Sequence, residues 1–96
     1  VQHATPELHI QCDDEVKFGV MERLSAYVLS QRGTDQTSLI DGVRVRDDEG
    51  WWLVRASNTE AALVARAEAD NPAALKRLIT EMETALEQAG IKWQFS

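Results

Sequence analysis

The stretch WWLVRASNTEAALVARAEA, residues 51–69, contains two apolar runs separated by a short polar segment. The first run, residues 51–54, combines aromatic and branched side chains, and residues 61–69 are small and apolar except for Arg66 and Glu68. Apolar runs of this length and composition, bounded by turn residues, are typical of β-strands. The sequence therefore predicts two strands joined by a loop at residues 55–60.

The joining loop combines a guanidinium, two hydroxyls and a carboxamide: Arg55, Ser57, Asn58 and Thr59. Arginine presents a planar fork of donors that fits phosphate or carboxylate oxygens. The short side chains add donors, and a tight turn would point successive backbone N–H groups at an anion. We therefore expect this loop to hold a phosphate. Ser, Asn and Thr are also ordinary turn residues, so these residues alone leave a plain turn as the alternative.

A further strand is predicted ahead of the hairpin, at residues 7–12, where apolar and polar residues alternate with period two. Its inward-facing residues are expected to be Leu8, Ile10 and Cys12. His9 then points the other way and is expected at the surface. Cys12 is the only cysteine, which excludes an internal disulfide and is consistent with a reducing compartment.

Two helices are predicted, one on each side of the hairpin. The first begins after Asp13 or Asp14, either of which can act as its N-cap, and ends at Gly33. The second begins at Asn71-Pro72, with asparagine as N-cap and proline at the first helical position, and ends at Gly90. Apolar residues recur at helical spacing in both segments.

The segment between the first helix and the hairpin contains a turn, a short strand and a second turn. Asp41-Gly42 is a turn dipeptide, and in the strand at residues 43–46 two valines face one side and two arginines the other. The acids in residues 47–50 lack the spacing of an oxygen cage for a metal, so we predict a solvated turn there. Trp51 and Trp52 are neighbours in a strand, so their rings must lie on opposite faces of the sheet.

Residues 91–95 alternate again and predict a last strand. The predicted order is therefore strand, helix, three strands, helix, strand. This order is typical of an α+β protein with an antiparallel-rich sheet and two helices packed on one face.

Length and charge restrict the function. A chain of 96 residues suits one domain, residues 1–96. A net charge of −6 argues against nucleic acid as a partner, and no apolar run approaches the length that spans a bilayer. A small anion is still compatible with a local cluster of arginines: Arg44, Arg46, Arg55 and Arg66.

Two motifs, DGVRV at residues 41–45 and GWWLVRASNT at residues 50–59, resemble the C-terminal domain of the α-D-phosphohexomutases. The likeness is to the bacterial phosphomannomutase/phosphoglucomutase branch, and Thr5-Pro6-Glu7 and the acidic last helix fit the same region. The resemblance implies the TATA-binding-protein-like fold of that domain, the fourth and last of the enzyme. It also implies the residues that bind the substrate phosphate: Arg55, Ser57, Asn58 and Thr59.

The same resemblance implies that the chain is part of a larger enzyme. These enzymes interconvert hexose 1-phosphates and hexose 6-phosphates through a phosphoserine and a bisphosphate intermediate. Their phosphoserine loop and their Mg²⁺ loop belong to earlier domains, and neither motif occurs in this sequence. We therefore expect this domain to supply no catalytic residue and no metal ligand, and to be inactive alone.

The resemblance also implies the surroundings of the domain. Its partners would be a hexose phosphate and the preceding domains of the same polypeptide, in the cytoplasm, with neither nucleic acid nor membrane. Mg²⁺ and a hexose 1,6-bisphosphate activator would serve the complete enzyme. The alternative is a free-standing α+β module that binds another anion or mediates contacts.

The loop departs from the commoner family pattern at three positions. Many members place proline, glycine and proline where this chain has Ala56, Asn58 and Ala61. The first two agree with the phosphomannomutase/phosphoglucomutase branch, whereas Ala61 does not. Without that proline the loop exit is less restricted in φ, which affects the rigidity of the loop rather than its ligand.

Overall fold

The predicted hairpin lies inside the sheet. In the computed structural model, which describes residues 3–40 and 42–93, strand β5 (Gly50–Ala56) pairs antiparallel with strand β6 (Ala62–Ala69). The other strands are β1 (His3–Ala4), β2 (Leu8–Gln11), β3 (Thr37–Ser38) and β4 (Val43–Asp47). The sheet order is β1-β6-β5-β4-β3, and β2 also pairs with β6. Every pairing among the described residues is antiparallel, in agreement with the predicted antiparallel-rich sheet.

Helices α1 (Asp14–Arg32) and α2 (Pro72–Gln88) pack on the same face of this sheet. The alternation in β4 shows the division: Val43 and Val45 are fully buried, while Arg44 and Arg46 are exposed. Every second side chain of each strand points to the covered face. There these side chains pack against both helices and form one apolar core. The α+β prediction is confirmed, with both helices on one face of the sheet.

The two helix starts use their polar residues differently. Asn71 caps α2 as predicted, since its Oδ1 accepts the Ala74 N–H at 2.8 Å. Asp13 occupies the N-cap position of α1, but its side chain accepts no capping hydrogen bond. Asp14 does not cap the helix either, because it lies inside the first turn and pairs with Lys17 at 2.7 Å. Side-chain capping is therefore confirmed for α2 and wrong for α1.

The rings of the two tryptophans lie on opposite faces, as predicted. Trp52 is 0% exposed in the core, and its Nε1–H donates to Glu81 Oε2 at 3.0 Å. Trp51 lies on the opposite face, where its ring packs under the Arg44 guanidinium at 4.9 Å and its Nε1–H donates to Glu68 at 3.0 Å. Each indole therefore has a partner for its single polar group.

The prediction of a solvated turn at residues 47–50 is wrong for Asp47. Its side chain is only 12% exposed, and Oδ2 accepts from Arg32 and Arg77, both at 3.1 Å. Burial opposes ionisation, but the Glu49 N–H and the Arg77 and Arg32 guanidinium groups outweigh it and keep the pKa of the Asp47 carboxyl below its ordinary value. Asp47 therefore ties the end of β4 to both helices.

The ends of the chain differ from the prediction. Residues 91–93 form no strand, and the remainder of the strand predicted at 91–95 lies outside the described residues. Asp41, in the turn predicted inside the chain, also lies outside them. Two short strands were not predicted: β1 pairs with β6, and β3 pairs with β4. Strands of two residues are too short to show an alternation in the sequence.

Candidate anion-binding site

The loop between β5 and β6 is an open corner of the molecule. The Ser57 N–H donates to the Ala62 carbonyl at 2.9 Å and closes the hairpin at its base. The four residues beyond this bond are all exposed: Asn58, Thr59, Glu60 and Ala61. The corner is therefore accessible to a ligand and is not sealed under packed side chains.

Ser57 is the buried member of the loop, and its hydroxyl organises the turn. The Oγ accepts the N–H of Thr59 at 3.3 Å and that of Glu60 at 3.1 Å. A serine hydroxyl that accepts in this way keeps its own hydrogen for donation. Ser57 therefore stabilises the turn, and it can offer at most one donor to an anion.

Arg55 and Asn58 line one groove beside the loop. This groove has a volume of about 590 Å³, and its remaining lining is mainly apolar: Phe18, Met21, Gly42, Leu53 and Ala56. Within the described part of the chain, the half-buried Arg55 guanidinium makes no hydrogen bond or ion pair. Its donors are therefore available to a ligand that enters the groove.

The face of the sheet that the helices leave uncovered is rich in arginine. Arg44 and Arg66 flank Leu53 from the two neighbouring strands, so all three lie on one face. Arg55 lies two residues beyond Leu53 and Arg46 two residues beyond Arg44, on the same side. The structure thus places the four arginines of the predicted cluster on one surface of an acidic chain.

Gly42 sets the position of Arg55. Its φ is +107°, and a Cβ there would lie 2.5 Å from the Val54 carbonyl oxygen and 2.7 Å from Arg55 Cβ. Only glycine combines this backbone conformation with so close an approach to β5. The glycine therefore lets the segment before β4 lie directly against Arg55.

We expect Gly42→Ala to lower the free energy of unfolding by about 2–4 kcal/mol, because it combines a left-handed φ with overpacking against β5. Gly33→Ala is the matched control, since Gly33 has φ +75° and a Cβ added there would meet no atom within 4 Å. Urea denaturation followed by far-UV circular dichroism measures both. A loss for Gly42→Ala no larger than that for Gly33→Ala would show that the close approach to Arg55 is unimportant.

Lys17 contacts the loop from helix α1, and the sequence analysis did not predict this contact. It lies in the first turns of α1, is 5% exposed, and donates from Nζ to the Ser57 carbonyl at 2.6 Å and the Glu60 carbonyl at 3.1 Å. A signal for it exists in the sequence, because Lys17 continues the helical spacing of an apolar stripe. The structure buries this stripe, which consists of Lys17, Val20, Leu24 and Val28. A charged residue on an apolar stripe indicates a buried polar contact.

The described residues provide no site for a metal. No group of three or more His, Cys, Asp or Glu side chains among them could hold an ion. His9 lies at the surface beside Glu7 and Glu60, as expected, with nitrogen–oxygen distances of 3.4 and 3.8 Å. The possible ligands in this part of the chain are not grouped in a way that fits Mg²⁺.

Neither helix in the described part of the chain has the length and apolar character needed to cross a membrane.

Comparison with known proteins identifies the family. The profile of the phosphoglucomutase/phosphomannomutase C-terminal domain matches residues 7–85. The chain is 45% identical over 75 residues to a phosphomannomutase/phosphoglucomutase of Pseudomonas syringae pv. tomato, covering 78% of this chain and 16% of that protein. It is 43% identical over 83 residues to the protein of the same name from Pseudomonas putida, covering 86% and 18%.

A solved structure agrees with these matches. The phosphoglucomutase/phosphomannomutase family protein of Burkholderia thailandensis superposes with a TM-score of 0.78 at 34% identity, over 99% of this chain and 20% of that one. The profile match and the superposed fold thus define a C-terminal domain of the phosphoglucomutase/phosphomannomutase class. The chain belongs to the phosphoglucomutase/phosphomannomutase family and spans no more than a fifth of the length of these relatives.

Proposed function

We propose that this chain binds the phosphate group of a hexose phosphate at the β5–β6 loop, through Arg55, Ser57, Asn58 and Thr59. The observation that supports this most directly is the shared groove of Arg55 and Asn58, where the guanidinium has no partner among the described residues. An unpaired, half-buried guanidinium at the end of a strand is costly unless a ligand or solvent satisfies it. A phosphate supplies oxygens in the geometry that the guanidinium fork matches.

The arginines of the open sheet face support an anionic rather than a neutral ligand. Arg44 and Arg66 lie beside Leu53, which itself lines the groove. Their field favours a phosphate at the groove even though the whole chain carries a net charge of −6. A single phosphate fits this local charge better than a polymer of phosphates, for which the acidic remainder of the surface is unfavourable.

As the C-terminal domain of a phosphomannomutase/phosphoglucomutase, the chain would act by positioning. It would hold the phosphate that is not being transferred, and the preceding domains would supply the phosphoserine and the Mg²⁺ that the transfer requires. Fixing the substrate in this way converts binding energy into correct orientation at the reacting group. The isolated chain would then have no mutase activity, and its setting would be the cytoplasm, in agreement with its single unpaired cysteine.

We expect inorganic phosphate and glucose 6-phosphate to shift the backbone amide signals of residues 55–61 in a ¹⁵N-labelled sample of this chain. Glucose at the same concentration is the control, and it should leave those signals unchanged because it lacks the anionic group that the guanidinium recognises. Nuclear magnetic resonance titration measures the affinity and locates the site together. Shifts confined to other parts of the chain, with residues 55–61 unmoved, would contradict the proposed function.

A further inference from the structure

We propose that Lys17 is the positioning residue of the phosphate loop, and that it acts by turning two loop N–H groups toward the ligand. This inference rests on the proposed function, since it concerns the same loop. Lys17 lies on helix α1, forty or more residues away in the chain, and both of its hydrogen bonds to the loop are to main-chain carbonyl oxygens. It therefore fixes the path of the loop whatever side chains the loop carries.

All the donors of the Lys17 ammonium group are in use. The group has three N–H donors. They are matched by three acceptors: the Ser57 carbonyl at 2.6 Å, the Glu60 carbonyl at 3.1 Å and Asp14 Oδ1 at 2.7 Å. With the side chain only 6% exposed, no donor remains for a ligand. Lys17 is therefore a positioning residue and not part of the anion contact itself.

The geometry of the peptide unit connects this contact to the ligand side of the loop. In a planar trans peptide the C=O and the following N–H point in opposite directions. Because Lys17 holds the Ser57 carbonyl inward, the Asn58 N–H points away from Lys17, and the Glu60 carbonyl sets the Ala61 N–H in the same way. Neither N–H has an acceptor among the residues that the structure describes.

The loop thus separates its backbone groups into two sets. The Ser57 and Glu60 carbonyls face Lys17, and the N–H groups of Asn58 and Ala61 point away from it. Asn58 is also one of the residues that line the Arg55 groove. Backbone N–H groups that have no acceptor within the described residues can donate to an anion. Ser57 Oγ supports the same arrangement by accepting the N–H groups of Thr59 and Glu60, which would otherwise lack partners.

Replacing Lys17 by methionine tests the inference, because methionine keeps an apolar stem of similar length and removes every donor. We expect the chain to remain folded, its affinity for inorganic phosphate to fall about tenfold, and the Asn58 and Ala61 amide signals to shift even without phosphate. Lys76→Met, on an exposed lysine of α2, is the matched control and should bind phosphate as the wild type does. The readouts are the amide titration and the unfolding transition.

Two further variants separate the carbonyl contacts from the ion pair and from stability. Asp14→Asn removes the charge of the exposed acid but leaves Lys17 its two carbonyl acceptors, and we expect it to keep phosphate affinity. Lys17→Gln retains donors on a shorter stem and should bind phosphate with intermediate affinity, which keeps the test usable if Lys17→Met does not fold.

Wild-type phosphate affinity in folded Lys17→Met would overturn the positioning role while leaving the proposed function intact. An equal loss in Asp14→Asn would also overturn it, since the carbonyl contacts would then not be the cause. A wild-type chain whose loop signals do not respond to phosphate at all would instead overturn the proposed function, and the inference with it.

Discussion

Replacing Arg55 by alanine is expected to weaken the binding of inorganic phosphate to this chain by about 1.5–3 kcal/mol, roughly 10- to 150-fold in the dissociation constant. The reason is that Arg55 offers the loop's only guanidinium, and a hydrogen bond to a charged group contributes more than a neutral one. The fold should tolerate the change, because the side chain is half-buried at the end of β5 and makes no hydrogen bond to the rest of the described chain.

Arg46→Ala is the matched control for this experiment. Arg46 is exposed on the same face of the sheet, but it pairs across from Trp51 at the opposite end of β5. The Arg46→Ala substitution removes the same charge, but at a distance from the loop where salt screens most of the effect. We therefore expect the phosphate affinity of this variant to stay within about threefold of the wild type. Equal losses in the two variants would mean that only the general charge of the face matters and that Arg55 makes no direct contact.

The largest effect on stability is expected for Trp52→Ala, which should lower the free energy of unfolding by about 3–5 kcal/mol. The indole is 0% exposed and packs across from Val45 and Ala67 on the covered face of the sheet. Its removal leaves a large cavity and also deprives Glu81 Oε2 of a donor. For a chain of this length the total free energy of unfolding is about 5–15 kcal/mol, so the variant should be close to unfolding.

The neighbouring tryptophan provides the control. Trp51→Ala removes the same side chain from the open face, where the ring packs against Arg44 and donates to Glu68. We expect a loss of about 1–2 kcal/mol, because one cation–π contact and one partly exposed hydrogen bond are removed without a cavity. Urea denaturation should be followed by far-UV circular dichroism, since both variants change the fluorescence. Similar losses for the two would contradict the assignment of Trp52 to the core and Trp51 to the surface.

The hairpin and the helices could be predicted from sequence because their signals are local. The covered face of the sheet requires an apolar residue at every second position, as in Val43 and Val45, and this appears directly as alternation. Asn71 precedes a proline at the start of α2, a pairing that is specific to helix N-termini. The loop residues could also be recognised from sequence, because their polar side chains lie close together in the chain.

The contacts that could not be predicted are those between distant parts of the chain. Asp47 was expected in a solvated turn, but the fold brings Arg32 and Arg77 from the two helices to it. Alternation at residues 91–95 predicted a strand, but residues 91–93 form none. The β1–β6 and β2–β6 pairings already occupy the outer edge of β6. A local pattern does not show which edges are still free.

The attachment of the loop through Lys17 has a consequence for how this protein can change over evolution. The side chains of Asn58 and Thr59 are exposed, and the contacts that hold the turn use the backbone and Ser57. Substitutions at these two positions therefore carry little penalty for folding. A lineage could alter which anion it recognises there without first acquiring compensating mutations elsewhere, and a library randomised at both positions would retain mostly folded members.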